Sequence, residues 1–155
     1  MKNRTCCFTG HRNIPADKYA DIQKQLDSYV LTLINEGAVT FITGGARGFD
    51  TMAALTILRI KKMCSHIRLS LILPCKNQTK GWAQSDIKTY NRILKKADEV
   101  IYTSERYYPG CMHVRNRRMV DESCVCVCFL TNTNSGTAYT TRYARQKRVY
   151  VINLA

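Results

Sequence analysis

The chain has 155 residues, 45% of them hydrophobic, and 24 Lys and Arg against 11 Asp and Glu, for a formal net charge of +13. Such a composition suits one globular domain over residues 1–155 with a sizeable core and excludes a disordered chain, and no apolar run is long enough to cross a membrane. The basic balance favours anionic partners, whether nucleotides, nucleic acid or acidic protein surfaces.

Met1-Lys2-Asn3-Arg4 leads straight into a strand-like run over residues 4–9, without the apolar stretch of a signal peptide, so a cytoplasmic location is expected. The run ends in a basic glycine turn, Gly10-His11-Arg12. Pro15 opens a helix whose apolar stripe is Ile22, Leu26, Val30, Leu33 and Ile34, and Gly37 closes it. A second strand over residues 38–43 delivers the chain to Thr43-Gly44-Gly45-Ala46-Arg47-Gly48-Phe49-Asp50, and a helix to about residue 63 follows. Residues 67–73 form a continuous apolar strand stopped by Pro74, and a polar loop containing Trp82 leads to a helix bearing Ile87, Tyr90, Ile93, Leu94 and Ala97. A fourth strand (100–102), a loop (103–112) and a short helix (114–122) come next. The fifth strand (124–130), the turn 131–137, a helix to about residue 146 and a sixth strand (148–153) complete the chain.

Apolar strands alternating with helices predict an α/β, Rossmann-like three-layer fold: a mostly parallel sheet of about six strands with helices on both faces. Ligands of such sheets sit at the carboxyl ends of the strands, where strand order reverses. Glycine turns follow three strands, at Gly10, Gly44-Gly45 and Gly136, and are expected to wall a single pocket. Residues 51–85 contain no Asp or Glu but six Lys and Arg, so their surface should be electropositive.

The eight cysteines point to thiols rather than a disulfide framework. Cys124, Cys126 and Cys128 alternate with Val125 and Val127; positions i and i+2 of a strand lie about 6.6 Å apart, far for thiolates sharing one zinc. They read as small core residues, and no metal site or cofactor is identified.

Gly44 to Gly48 lacks the G-x-G-x-x-G spacing, and the third strand ends in Leu73-Pro74 with no acid to hold a ribose, which argues against ordinary dinucleotide binding. A phosphate loop remains: glycines allow close backbone approach, and a helix N-terminus supplies free N–H groups. Arg47 adds a charge. Asp50 is expected to cap the following helix by accepting from Met52 or Ala53. Arg115 and Asn116 are expected in the first turn of their helix, where cations oppose the macrodipole unless an anion is bound. Ser135-Gly136-Thr137 opens the last helix as a cap and a second anion site, and Trp82 is a candidate platform for a base.

Taken together, Gly10-His11-Arg12, Gly44-Gly45-Ala46-Arg47-Gly48-Phe49-Asp50, the loop 74–82, Arg115-Asn116-Arg117-Arg118-Met119-Val120-Asp121 and Ser135-Gly136-Thr137-Ala138-Tyr139 resemble the YpsA group of the SLOG superfamily. That superfamily also holds the DprA recombination mediators and the Lonely Guy phosphoribohydrolases. The resemblance runs nearly end to end. It implies a Rossmann-like fold, a pocket for a nucleotide-derived ligand and a link to bacterial cell division. Ala46-Arg47-Gly48-Phe49-Asp50 and Arg115-Asn116-Arg117 are similar to DprA segments, which implies single-stranded DNA as a partner. His113-x-Arg115-x-x-x-Met119 with Gly136-Thr137 is similar to the Lonely Guy pattern, which implies cleavage of the base–ribose bond of a nucleoside monophosphate. The glutamates expected after Gly136-Thr137 are replaced by Ala138-Tyr139-Thr140-Thr141, leaving Asp50 or Asp121 to substitute. The resulting expectation is a regulatory protein that binds a phosphorylated nucleotide. Contacts to the ligand or its phosphate are expected from Gly10, His11, Arg12, Gly44, Gly45, Arg47, Gly48, Asp50, Arg115, Asn116, Ser135, Gly136 and Thr137. A protein partner, a homo-oligomer and any catalytic residues are left open.

Overall fold

A computed structural model describes residues 2–155. Six parallel strands form one sheet in the order β4-β3-β2-β1-β5-β6, with β1 Thr5–Gly10, β2 Thr40–Thr43, β3 Arg68–Leu73, β4 Glu99–Tyr102, β5 Val125–Phe129 and β6 Tyr150–Asn153. Each strand is followed by a helix except the last: α1 Ala16–Asn35, α2 Phe49–Lys61, α3 Gln84–Lys96, α4 Cys111–Asp121 and α5 Gly136–Gln146. The Rossmann-like expectation thus holds element by element.

Successive strand side chains point to opposite faces. Cys6, Phe8, Phe41, Leu71 and Val127 meet the apolar stripes of α1, α2 and α3, where Ile22, Leu26, Val30 and Ile57 are buried. Cys7, Ile42, Ile72 and Cys126 meet Met119 and Val120 of α4 and Ala144 of α5 on the other face. The chain therefore winds along one face through three helices, crosses back after β4, and covers the second face with two. Cys126 and Cys128 are fully buried in β5, as core residues should be, and burial pushes the Cys128 thiol up to about 12.

Strand order reverses between β1 and β5, which are hydrogen-bonded neighbours from Cys6↔Val125 to Gly10↔Phe129. Their carboxyl ends diverge toward α1 and α5, on opposite faces, and open a crevice there.

Three ion pairs change the electrostatic expectation for residues 51–85. Arg59 pairs with Asp27, Lys61 with Asp98, and Lys76 with Glu105 at 3.1 Å. Acids distant in sequence thus compensate half of that basic run. Among the described residues no helix is long and apolar enough to cross a membrane.

Candidate functional site

A cleft of about 540 Å³ occupies the crevice between the ends of β1 and β5. One wall is the start of α5. Ser135 caps that helix, its hydroxyl accepting from the Ala138 N–H at 3.1 Å, and Gly136 and Thr137 follow along the cleft. The opposite wall is the β1 turn, Gly10, His11 and Arg12. Arg115 and Asn116 of α4 and Asp50 of α2 close the inner end. Thr9, Asn13, Met112, Thr131 and Asn132 also line the cleft and were not anticipated. The turn signal at 131–137 marked a loop, but only the strand order shows that it faces β1.

His11 is a clamp. Its Nε2 accepts from the N–H groups of Thr131 (2.8 Å) and Asn132 (3.2 Å), so the ring is neutral with its proton on Nδ1. Burial lowers its pKa from 6.5, consistent with that acceptor role. The His11 carbonyl in turn accepts from Phe49 N–H at 3.1 Å, joining the β1 turn to the start of α2.

The loop after β2 departs from the expected arrangement. Gly44 and Gly45 face protein, not the cleft. The Gly44 carbonyl accepts from Arg115 Nη1 and from Gln78 Nε2 (3.3 Å), and a Cβ at Gly44 would meet the Arg115 guanidinium carbon at 2.6 Å. A Cβ at Gly45 would strike Leu73. Gly48 is the N-cap of α2 with φ +77°, and a Cβ there would lie 2.5 Å from the Arg12 carbonyl carbon. These glycines serve close packing of backbone against side chain, and the turn after β2 reaches the cleft through Ala46 and not through its glycines.

Asp50 is not the helix cap. The helix begins at Phe49, so Asp50 lies within its first turn, and its Oδ2 turns back to accept from Ala46 N–H at 3.2 Å. The Gly44 amide also favours the charged form of this carboxyl. Burial raises its pKa to about 6 against the opposing pull of Arg115 and those two amides. Asp50 is the single acid lining the cleft among the described residues. Asp121 lies elsewhere and accepts from the Tyr143 hydroxyl at 2.8 Å.

Arg115 is buried, 5% exposed, and not in the first turn of α4. Gly110 caps the helix at φ +92°, three residues earlier than expected, so Arg115 falls on the inward stripe Cys111, Arg115, Met119. Its Nε donates to Asn116 Oδ1 at 2.7 Å. Burial lowers its pKa and the Asp50 carboxylate pushes it back up, so it remains a cation.

Arg47 turns away from this cleft. Its guanidinium carbon lies 5.0 Å from the centre of the Trp82 ring. The two residues line a second cleft of about 500 Å³ that shares Arg12 and Met112 with the first.

Comparison with known proteins agrees with this fold. The family model described as the YspA SLOG family (YpsA) matches residues 6–154. The chain is 32% identical over 126 residues to the "Uncharacterized SPbeta prophage-derived protein YoqJ" of Bacillus subtilis (strain 168), covering 74% of each chain. It is 31% identical over 104 residues to UPF0398 protein BH1768 of Halalkalibacterium halodurans, covering 66% of this chain and 55% of that one. The chain thus spans about half the length of such UPF0398 relatives. Its fold is similar to a solved structure of DNA processing protein A from Helicobacter pylori, described for its single-stranded DNA binding mode. The TM-score is 0.71 at 18% identity, covering 98% of this chain and 65% of that one. The chain belongs to the YpsA family of SLOG proteins.

Proposed function

We propose that the cleft at the β1–β5 crevice binds a phosphorylated nucleotide and that occupancy regulates association with a protein partner. The observation that carries this reading is convergence. The N-terminus of α5, capped by Ser135, faces the same space as Arg12 and Arg115, so N–H dipoles and two guanidinium groups address one anion. Asp50, among those donors, is an acceptor suited to a hydroxyl of the attached sugar.

Calorimetric titration with nucleoside monophosphates and the matching nucleosides tests it. Phosphorylated ligands should bind and nucleosides should not. Arg12→Ala, an exposed position, should weaken binding about tenfold, as loss of one charge-assisted contact does. Equal binding of nucleosides, or no binding of any monophosphate, overturns the reading.

A second reading, single-stranded nucleic acid, is favoured by the cations and aromatic rings of the adjoining cleft and by the fold shared with DNA processing protein A. It predicts oligonucleotide affinity that falls steeply with salt. Mononucleotides binding more tightly than oligonucleotides would exclude it.

A further inference from the structure

The second cleft has features the nucleotide reading of the first does not use. Arg47 makes no hydrogen bond or ion pair to any described residue, and its Nε is buried without a partner. An arginine held over an aromatic ring with a donor left open is built to receive an acceptor. Its platform is fixed from below. Trp82 meets Tyr90 edge-on at 5.5 Å, the Tyr90 hydroxyl donates to Gln78 Oε1 at 3.4 Å, and Gln78 Nε2 holds the Gly44 carbonyl. Lys80 adds a charge, and Tyr107, 58% exposed, offers a second ring to the cleft. No carboxylate lines this space among the described residues. Cations around aromatic faces without acids suit a base and a phosphate together.

Arg12 belongs to both clefts. A phosphate beside it would be shared by a group in the first cleft and a group in the second. We infer that the two clefts are consecutive subsites for two nucleotide units joined by a phosphodiester, with the Arg47–Trp82 pair receiving the second unit. This rests on the first cleft being a nucleotide site. The same chemistry is presented by a free linear dinucleotide and by the end of a single strand.

The test is titration of wild-type protein with pA, pApA and an eight-nucleotide oligo(A), repeated with Trp82→Ala and Arg47→Lys after melting curves establish that both variants are folded. The dinucleotide should bind wild type at least about tenfold more tightly than pA, the order expected for one stacked base. Both variants should lose that gain and retain wild-type affinity for pA. Octanucleotide affinity matching pApA identifies a free dinucleotide as sufficient, and a further gain for the octamer identifies a strand. Equal affinity for pA and pApA overturns the inference while leaving the first cleft intact, as does a variant that weakens pA and pApA alike. Failure of wild type to bind pA, pApA or the octamer overturns both readings. Failure with pA alone, with pApA binding abolished in the variants, overturns the first-cleft reading and with it the pairing of the two subsites, leaving nucleotide binding at the second cleft alone.

Discussion

Replacing Asp50 by Asn should stabilise the protein at neutral pH. The carboxyl is 5% exposed, and burial moves its pKa from 3.8 to about 6 even with Arg115 nearby. Between those values the folded state holds a proton that the unfolded chain has released. Stability is therefore full below 3.8, falls as pH rises through about 6, and levels off above. The difference corresponds to on the order of 3 kcal/mol at pH 7.5. The amide stays neutral, and its oxygen can still accept from Ala46. Weakening of the two loop-amide bonds offsets about 1 kcal/mol. A net gain of about 2 kcal/mol remains, roughly 4–8 °C in melting temperature for a chain of this size. Urea denaturation of wild type and Asp50→Asn at intervals from pH 4 to pH 8 measures it. The two should converge near pH 4 and separate toward pH 7.5. A variant less stable than wild type at pH 7.5, or a difference that does not change with pH, would refute the dominance of burial over the Arg115 field.

Three further outcomes follow from the geometry. Gly48→Ala should cost about 3 kcal/mol or more, because a positive φ is compounded by collision with the Arg12 backbone, whereas Gly81→Ala, also at positive φ but in open space, should cost about 1 kcal/mol; thermal melts of the pair separate conformational strain from collision. Ser135→Ala should destabilise by about 1 kcal/mol or more, since the hydroxyl accepts from the Ala138 N–H and also donates to the Asn132 carbonyl at 2.7 Å; unchanged stability in chemical denaturation would show that the cap contributes nothing. The amide signals of Thr131 and Asn132 should titrate with His11 at a midpoint below 6.5, because the neutral ring holds them. The stability from that clamp is present above pH 6.5 and is lost as pH falls through the lowered pKa, and an NMR midpoint above 6.5 would contradict it.

The fold was legible because hydrophobic pattern and turn chemistry agree along the chain: every expected strand and helix is present, and most boundaries differ by only a few residues. The site was legible in its residue types but not in its directions. The spacing suggests Asp50 as a cap, yet a carboxylate can bond forward to helix amides or backward to loop amides, and sequence spacing does not choose. Standing between glycines, Arg47 is expected beside Gly44 and Gly45 in the phosphate loop; the Trp82 face, 35 positions away in the chain, holds its side chain in the second cleft instead of the first. Arg115 is expected as an anion-facing cation in the first turn of its helix because the helix start is placed at residue 114. The spacing Cys111, Arg115, Met119 describes an inward stripe, and Gly110 marks its start three residues earlier. The cleft wall at Thr131 and Asn132 needed the strand order, which no local pattern encodes.

The carbonyl of Gly44 has a consequence for how the two clefts relate. It accepts from Arg115 of α4 and from Gln78 of the loop before α3. The helices α4 and α3 lie on opposite faces of the sheet, and the two side chains belong to different clefts: Arg115 to the first, Gln78 to the second. One peptide unit is thus a common fulcrum. Displacing it from either side changes the hydrogen-bond geometry offered on the other, so the clefts form one mechanical unit. Substitutions in the two should fail to add, and a thermodynamic cycle between Gln78→Ala and Arg115→Lys would carry the coupling energy of that single amide plane.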